Sequence, residues 1–304
     1  MLDHFLNGIL PIFAVGALGF VFGKRGAFDF DRAMAINKFV MFVAMPALGF
    51  RLLARAPVEQ FDLAMLGGYL STEIVMYLGG FVIARYVFRT DIKEAALIGL
   101  TLTLTNHVLF VLPIASTLFG EESITPIVAI ISMDSILVFS GTIILMEVLA
   151  TKNGSLREAM GKISRNPPVI AMVLGLSFGA TDLVLPKGFD VFLKFLGDAA
   201  APALLFALGV ILSQTQKSTR PTLPLAITGI KLIVHPLLAW GIFAGLLNLT
   251  PEVQMPALLV AAAPCGMMAF MLALNYGVRV DAIARAILYT SIGSLITLTF
   301  VAGL

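Results

Sequence analysis

The feature that most constrains this chain is a series of apolar stretches, each about long enough to cross a bilayer. Ten of them, at 4–23, 32–54, 61–87, 94–119, 124–150, 167–184, 190–214, 221–247, 254–277 and 280–303, follow one another with short linkers. A helix needs ~20 apolar residues to cross ~30 Å of hydrocarbon. Charge is correspondingly scarce: 12% of the 304 residues are charged, against roughly 25% in a soluble protein. The short alternating segments of an outer-membrane barrel are missing from the pattern. The expected fold is an all-α membrane protein with ten transmembrane helices.

Other classes are disfavoured on the same grounds. The single cysteine, Cys265, leaves no internal disulfide and no thiolate metal cluster. A net charge of +2 gives no reason to expect a nucleic-acid partner. In the first stretch the basic pair Lys24 and Arg25 follows the apolar run rather than preceding it. It therefore reads as a retained helix and not as a signal peptide.

Lysine and arginine set the orientation, because they concentrate in cytoplasmic loops. Of the 20, fourteen lie after odd-numbered stretches and four after even-numbered ones, while Lys38 and Lys231 lie within stretches. The odd loops are therefore expected in the cytoplasm and both termini outside, in the inner (plasma) membrane. The central linker 151–166 is then cytoplasmic.

The two halves echo each other. KFVMFVAMPALGF (38–50) and KFLGDAAAPALLF (194–206) share seven of thirteen positions at an offset of 156. An offset of 157 places Gly120 on Gly277 and Asn106–His107 on Ala263–Pro264. A repeat unit of five helices is odd, so the second copy enters from the opposite face. Inverted repeats of this kind recur in secondary transporters. The chain divides into a first repeat at 1–150, the linker at 151–166 and a second, inverted repeat at 167–304.

Stretch four carries Asn106, His107 and Pro113, and its counterpart, stretch nine, carries Pro264, Cys265 and Gly266. Proline removes a backbone donor and clashes with the carbonyl four residues back. In hydrocarbon the freed groups must be satisfied by protein or by a wet cavity. Helices 4 and 9 are therefore expected to break near the midplane, the usual place for a transported solute. A restarting half-helix turns its free N–H groups and positive dipole end inward, which favours an anion. Asn106 can cap one restart and Pro264 suits the first position of the other. Pro46, Pro202 and Pro236 are read as ordinary kinks.

Ionisable groups at depth are costly and need a reason. Counting ~1.5 Å per residue along each helix, Glu73, Asp134 and Lys231 fall near the midplane. Glu73 and Lys231 are separated by nearly the repeat offset, so they are expected to face each other as an ion pair, either static or involved in coupling. Asp134, between Ser132 and Ser135, is a candidate cation or proton site. His107 adjoins the break as a candidate substrate or proton group. His235, before Pro236, is expected to bond a freed carbonyl. Asp198 reads as structural, and Arg51 as snorkelling to the interface or gating.

The motifs TNHVLFVLPIASTLFG (105–120), NPPVIAMVLGL (166–176) and APCGMMAFMLALNYG (263–277) resemble the auxin efflux carrier family, bacterial relatives of the PIN-type carriers. The resemblance implies a transporter with crossed helices 4 and 9. Helices 1, 2, 6 and 7 would form a scaffold, often in a homodimer, and the rest would move as an elevator. It implies that Asn106 and the residues around Pro113 and Pro264 contact a carboxylate, and that Glu73 is a proton-sensing candidate. Bacterial members are associated with malate, malonate and similar dicarboxylates. The chain lacks the long hydrophilic central loop of the plant members, and His107 and Cys265 are departures at the motifs.

The leading expectation is a secondary carrier of a small organic anion, with no cofactor and with H+ or Na+ as the candidate coupling ion. A sodium symporter resembling bile-acid carriers is the alternative, with Asp134, Ser132, Asn106 and Thr105 as candidate ligands. A channel or receptor is a further class. An intramembrane aspartyl protease is disfavoured, because Asp198 and Pro202 share one helix and a second catalytic aspartate is not placed. No nucleotide loop, zinc spacing or nucleophile elbow is present, so the chain does not read as an enzyme.

Overall fold

The structure is a computed structural model. It describes residues 14–303 except 57, 113, 116–119, 121–123, 152–159, 162–163, 182 and 215–219. Pro113 and most of the central linker thus lie outside the described residues. Those described are helical, with one isolated antiparallel bridge.

Among the described residues, six helices are long and apolar enough to cross a membrane. They are α2 (Phe30–Ala54), α3 (Leu63–Val87), α5 (Ile124–Ala150), α7 (Lys187–Gln214), α8 (Thr222–Leu246) and α11 (Asp281–Ala302). Between them run the shorter α1 (Ala14–Lys24), α4 (Ile92–Thr103), α6 (Pro167–Gly179), α9 (Pro251–Ala262) and α10 (Met268–Asn275). Aspartates start three of the early helices: Asp29, Asp62 and Asp91 each accept from backbone N–H groups two or three residues on. Their carboxylates satisfy first-turn donors and complement the helix dipole. Proline does this work in the second half, opening α6 at Pro167 and α9 at Pro251, where the missing donor costs nothing.

Prolines within the spans are accommodated by local rewinding. A π turn, Val40–Ala44, precedes Pro46, and another, Ile230–Val234, precedes Pro236. In α7 the helix is interrupted at Ala199, three residues before Pro202. A π turn inserts one residue and redirects the side chains around it. Buried ionisable groups sit on such turns, among them Lys231 on Ile230–Val234, Asp134 at the start of Asp134–Phe139 and His107 at the start of His107–Val111.

The helices pack in two groups. In the first, α2 lies against both α6 and α7, and α1 lies against α7. The approach of α6 to α2 depends on Gly175, where an added Cβ would come within 2.6 Å of the Phe50 carbonyl oxygen. Small residues let helices approach closely where no hydrophobic effect drives them together. In the second group α3 packs on α4 and α8, α5 on α4 and α9, and α11 on α8 and α9. Between the groups, α10 packs on α4 and also touches α2, where Asn37 Nδ2 donates to the Met271 carbonyl at 3.3 Å. Outward faces of α3, α7 and α8 expose large apolar side chains such as Leu78, Phe195 and Leu237, as a lipid-facing surface requires.

Candidate functional site

The site is built where two helices stop. The chain leaves the helix after Thr103 and turns extended at Leu104 (φ −61°, ψ 125°). It resumes as a π turn at His107–Val111. Likewise α9 stops at Ala262, Ala263 is extended (φ −83°, ψ 165°), and α10 begins at Met268. The two extended pieces pair with each other through the Thr105–Cys265 bridge. Asn106 N donates to the Pro264 carbonyl at 3.0 Å, and Gly266 N donates to the Leu104 carbonyl at 2.7 Å. Gly266 has to be glycine for this approach, since a Cβ there would sit 2.9 Å from the Thr105 carbonyl oxygen. Pro264 is thus part of the extended pairing and not the first residue of the restarting helix, as its sequence context had implied. Asn106 immediately precedes the resumed turn, and its carbonyl accepts from Phe110 N.

Broken helices free backbone groups, and in a membrane these must find partners. The Thr103 carbonyl accepts from Lys231 Nζ at 2.8 Å, and that ammonium also donates to Thr105 Oγ1 at 2.9 Å. A cation at the C-terminal end of α4 also meets the negative end of its dipole. At the end of α9, the Val260 carbonyl accepts from Thr105 Oγ1 at 3.1 Å and the Ala262 carbonyl from Thr297 Oγ1 at 2.8 Å. Cys265 N donates to Thr290 Oγ1 at 3.2 Å. The thiol of Cys265 is buried.

The expected Glu73–Lys231 ion pair is not a direct contact. His235 lies between them, with Nδ1 2.9 Å from Lys231 Nζ and Nε2 3.6 Å from Glu73 Oε1. His235 therefore meets Lys231, one helical turn earlier, where the sequence led one to expect a carbonyl freed by Pro236. Glu73, Lys231 and His235 are all at most 1% exposed. Tyr69 and Thr103 face the Glu73 carboxylate, but neither forms a well-aligned hydrogen bond to it.

On the other side of the pairing, His107 Nε2 lies 3.3 Å from Asp134 Oδ2, and both side chains are buried. His107 also lines a cavity of about 310 Å³, together with Asn106, Ser135, Gly266, Met267 and Met268. Its far wall comes from α2, α6 and α7, through residues such as Met45, Met172 and Pro202. Among the described residues, no lysine or arginine lines it. Met267 and Met268, at the start of α10, line this cavity, and the first amides of a helix lack intrahelical acceptors.

Of the residues singled out from the sequence, Asn106, His107 and Gly266 line the cavity. Pro264 and Cys265 stand behind it in the backbone pairing, and Glu73 and Lys231 stand farther back. Asp198 also lines the cavity, but its carboxylate is half-exposed and paired with Lys194 one turn earlier. Arg51 is paired with Asp190 of α7 at 2.8 Å. Sequence reasoning missed Thr290 and Thr297, whose hydroxyls face the break, and the apolar wall of Met45 and Met172. A threonine in an apolar helix carries no local mark of the distant carbonyl it serves.

A sequence model of the family described as "Membrane transport protein" matches residues 4–302. The chain belongs to this family, the auxin efflux carriers. A Rhizobium meliloti protein described as "Putative malonate transporter" is 25% identical over 299 residues, covering 96% of this chain and 92% of its own. An uncharacterized transporter of Methanothermobacter thermautotrophicus is 26% identical, covering 95% of each chain. The uncharacterized transporter YfdV of Escherichia coli is 26% identical over 221 residues, 70% of each chain. This auxin efflux carrier family member is a multi-pass membrane protein, and its family and relatives point to transport and not to enzymatic chemistry.

Proposed function

We propose that this protein is a secondary carrier of a small organic anion, a carboxylate, working by alternating access. The carboxylate sits in the cavity beside the paired breaks, held by Asn106 and by the backbone amides of Met267 and Met268. The observation that carries the reading is that cavity of about 310 Å³, walled on one side by unwound main chain and on the other by α2, α6 and α7. It is within the size range of small-molecule sites. The relative described as a malonate transporter favours a dicarboxylate of that size.

The finer architecture belongs to the same proposal. Ten membrane crossings form two inverted five-helix repeats, with crossings four (α4 and its continuation) and nine (α9 and α10) broken and crossed. In support, α4 and α9 each span 12 residues. Positive φ values also recur near the repeat offset, at Arg89 and Asn248 and at Gly120 and Gly277. The packing of α1, α2, α6 and α7 suits a fixed scaffold, with the remaining helices moving past it as an elevator. A homodimer in the inner membrane, with both termini extracytoplasmic, completes the proposal.

The test is a thermal-shift screen of purified protein against malonate, succinate, acetate and other small acids, followed by uptake into proteoliposomes. At least one carboxylate should raise the melting temperature and be taken up saturably. No shift with any acid and no uptake would overturn the reading, and unsaturable flux would point to a pore.

A further inference from the structure

The buried polar groups around the crossing do not balance. Glu73 and Asp134 are two carboxylates and Lys231 is one ammonium, each at most 2% exposed. With both imidazoles neutral and both carboxylates ionised, the cluster is one positive charge short. An arriving carboxylate makes this worse, because among the described residues no lysine or arginine lines the cavity to meet it. Like charges in a dry space disfavour each other's ionised form. Lys231 cannot turn to help, since it is committed to the Thr103 carbonyl and Thr105 on the far side of the pairing.

One lining group can supply the missing charge. His107 faces the cavity, and its Nε2 is 3.3 Å from Asp134 Oδ2. Neither Asp134 oxygen has a hydrogen-bond partner among the described residues, and the same holds for His107 Nε2. A neutral imidazole with its proton on Nδ1 and an ionised carboxylate at that distance leave both groups unsatisfied, which is costly for buried polar atoms, and a proton placed between them relieves this. We propose that the His107–Asp134 pair is the proton site of this carrier, and that one proton from water enters the pair with each carboxylate bound. The inference rests on the anion reading given above. The proton goes to the imidazole, whose Nε2–H then points at Asp134 Oδ2, and the resulting imidazolium offsets the charge of the solute beside it.

Other titratable groups surround the pair and must be considered. Lys231 and His235 of α8 act on it from behind, and Glu73 of α3 and Cys265 lie in the same buried cluster. Asp198 of α7 stands across the cavity but is paired with Lys194. Of these, only His107 is both a cavity-lining residue and able to gain a positive charge.

The test uses purified full-length protein and malonate as the probe. Calorimetric titration in two buffers of different ionisation enthalpy, in sodium-free medium, reads proton uptake directly. About one proton should be taken up per malonate bound, with affinity falling about tenfold per unit rise of pH over the coupled range. His107→Gln should bind weakly and without pH dependence. Asp134→Asn should bind at alkaline pH better than the wild type does, a gain that misfolding cannot produce. Three results would overturn the proposal. They are pH-independent affinity with no proton uptake, uptake that survives in both variants but disappears in Glu73→Gln, and full recovery of alkaline affinity on adding sodium. If no acid binds at any pH, the anion reading fails, and the pair is then judged by nitrogen NMR of labelled histidine. A His107 resonance that titrates, and moves when Asp134 becomes Asn, supports the proton site; one that does neither overturns it.

Discussion

The two breaks solve the same backbone problem with different chemistry. At the end of α4 an ammonium, Lys231 Nζ, takes the freed Thr103 carbonyl. At the end of α9, hydroxyls from Thr105 and Thr297 take the carbonyls of Val260 and Ala262. The first solution is charged and tied through His235 to Glu73. The second is neutral and draws on α11. The paired breaks thus have one end that feels charge and one that does not. Any response to a proton or a charged solute is accordingly expected on the α4 side, where His107 and Asp134 also lie.

The sharpest way to break this comparison is Lys231→Met. It leaves the Thr103 carbonyl unpaired and Glu73 buried without a cation, and removing one partner of a buried ionic arrangement costs about 3–5 kcal/mol. Thermal unfolding in detergent should show a large loss of stability or of monodisperse protein. Adding Glu73→Gln should return part of it, with a coupling of about 1–3 kcal/mol, as for residues sharing one network. A double variant no more stable than the single one would mean that Lys231 acts only as a carbonyl cap.

Gly266→Ala comes next. Its methyl would press on the Thr105 and Leu104 carbonyl oxygens, at 2.9 and 3.2 Å, and oppose the Gly266 N–Leu104 O bond. Overpacking of this kind costs about 1–3 kcal/mol. The variant should lose carboxylate-dependent thermal stabilisation more completely than it loses stability. A fully functional Gly266→Ala would show that the two breaks do not need their close pairing.

How much of this was legible in the sequence differs between the two breaks. Bilayer thickness fixes the length of an apolar helix, so the spans announce themselves. The break at 263–267 is also legible, because Pro264 and Gly266 mark it locally. The break at 104–106 carries no proline of its own. The strong local signal, Pro113, is several residues away, and only alignment of the two halves pointed to 106–107. What holds this break open is long-range: pairing with 264–266 and a lysine from α8. The same reason hid the intermediary role of His235. Spacing along two helices puts Glu73 and Lys231 at one level, but it does not say that an imidazole one turn further on occupies the gap.

The smallest effects concern the hydroxyls, and they discriminate most finely. Interhelical hydrogen bonds in membranes are worth on average ~0.6 kcal/mol, so Thr297→Val should cost about that and leave binding intact. Thr105→Val removes more than one such bond. Its hydroxyl donates to Val260 and accepts from Lys231, and a hydrogen bond to a charged group is worth about 1.5–3 kcal/mol. Unfolding of the two variants side by side should therefore separate them by more than a single neutral bond. If they unfold alike, the ammonium has found another acceptor and the two ends are equivalent in energy. If Thr105→Val is clearly the worse, the charged end of the crossing is the one held under electrostatic demand. That is where a change in local charge can be converted into movement of the main chain.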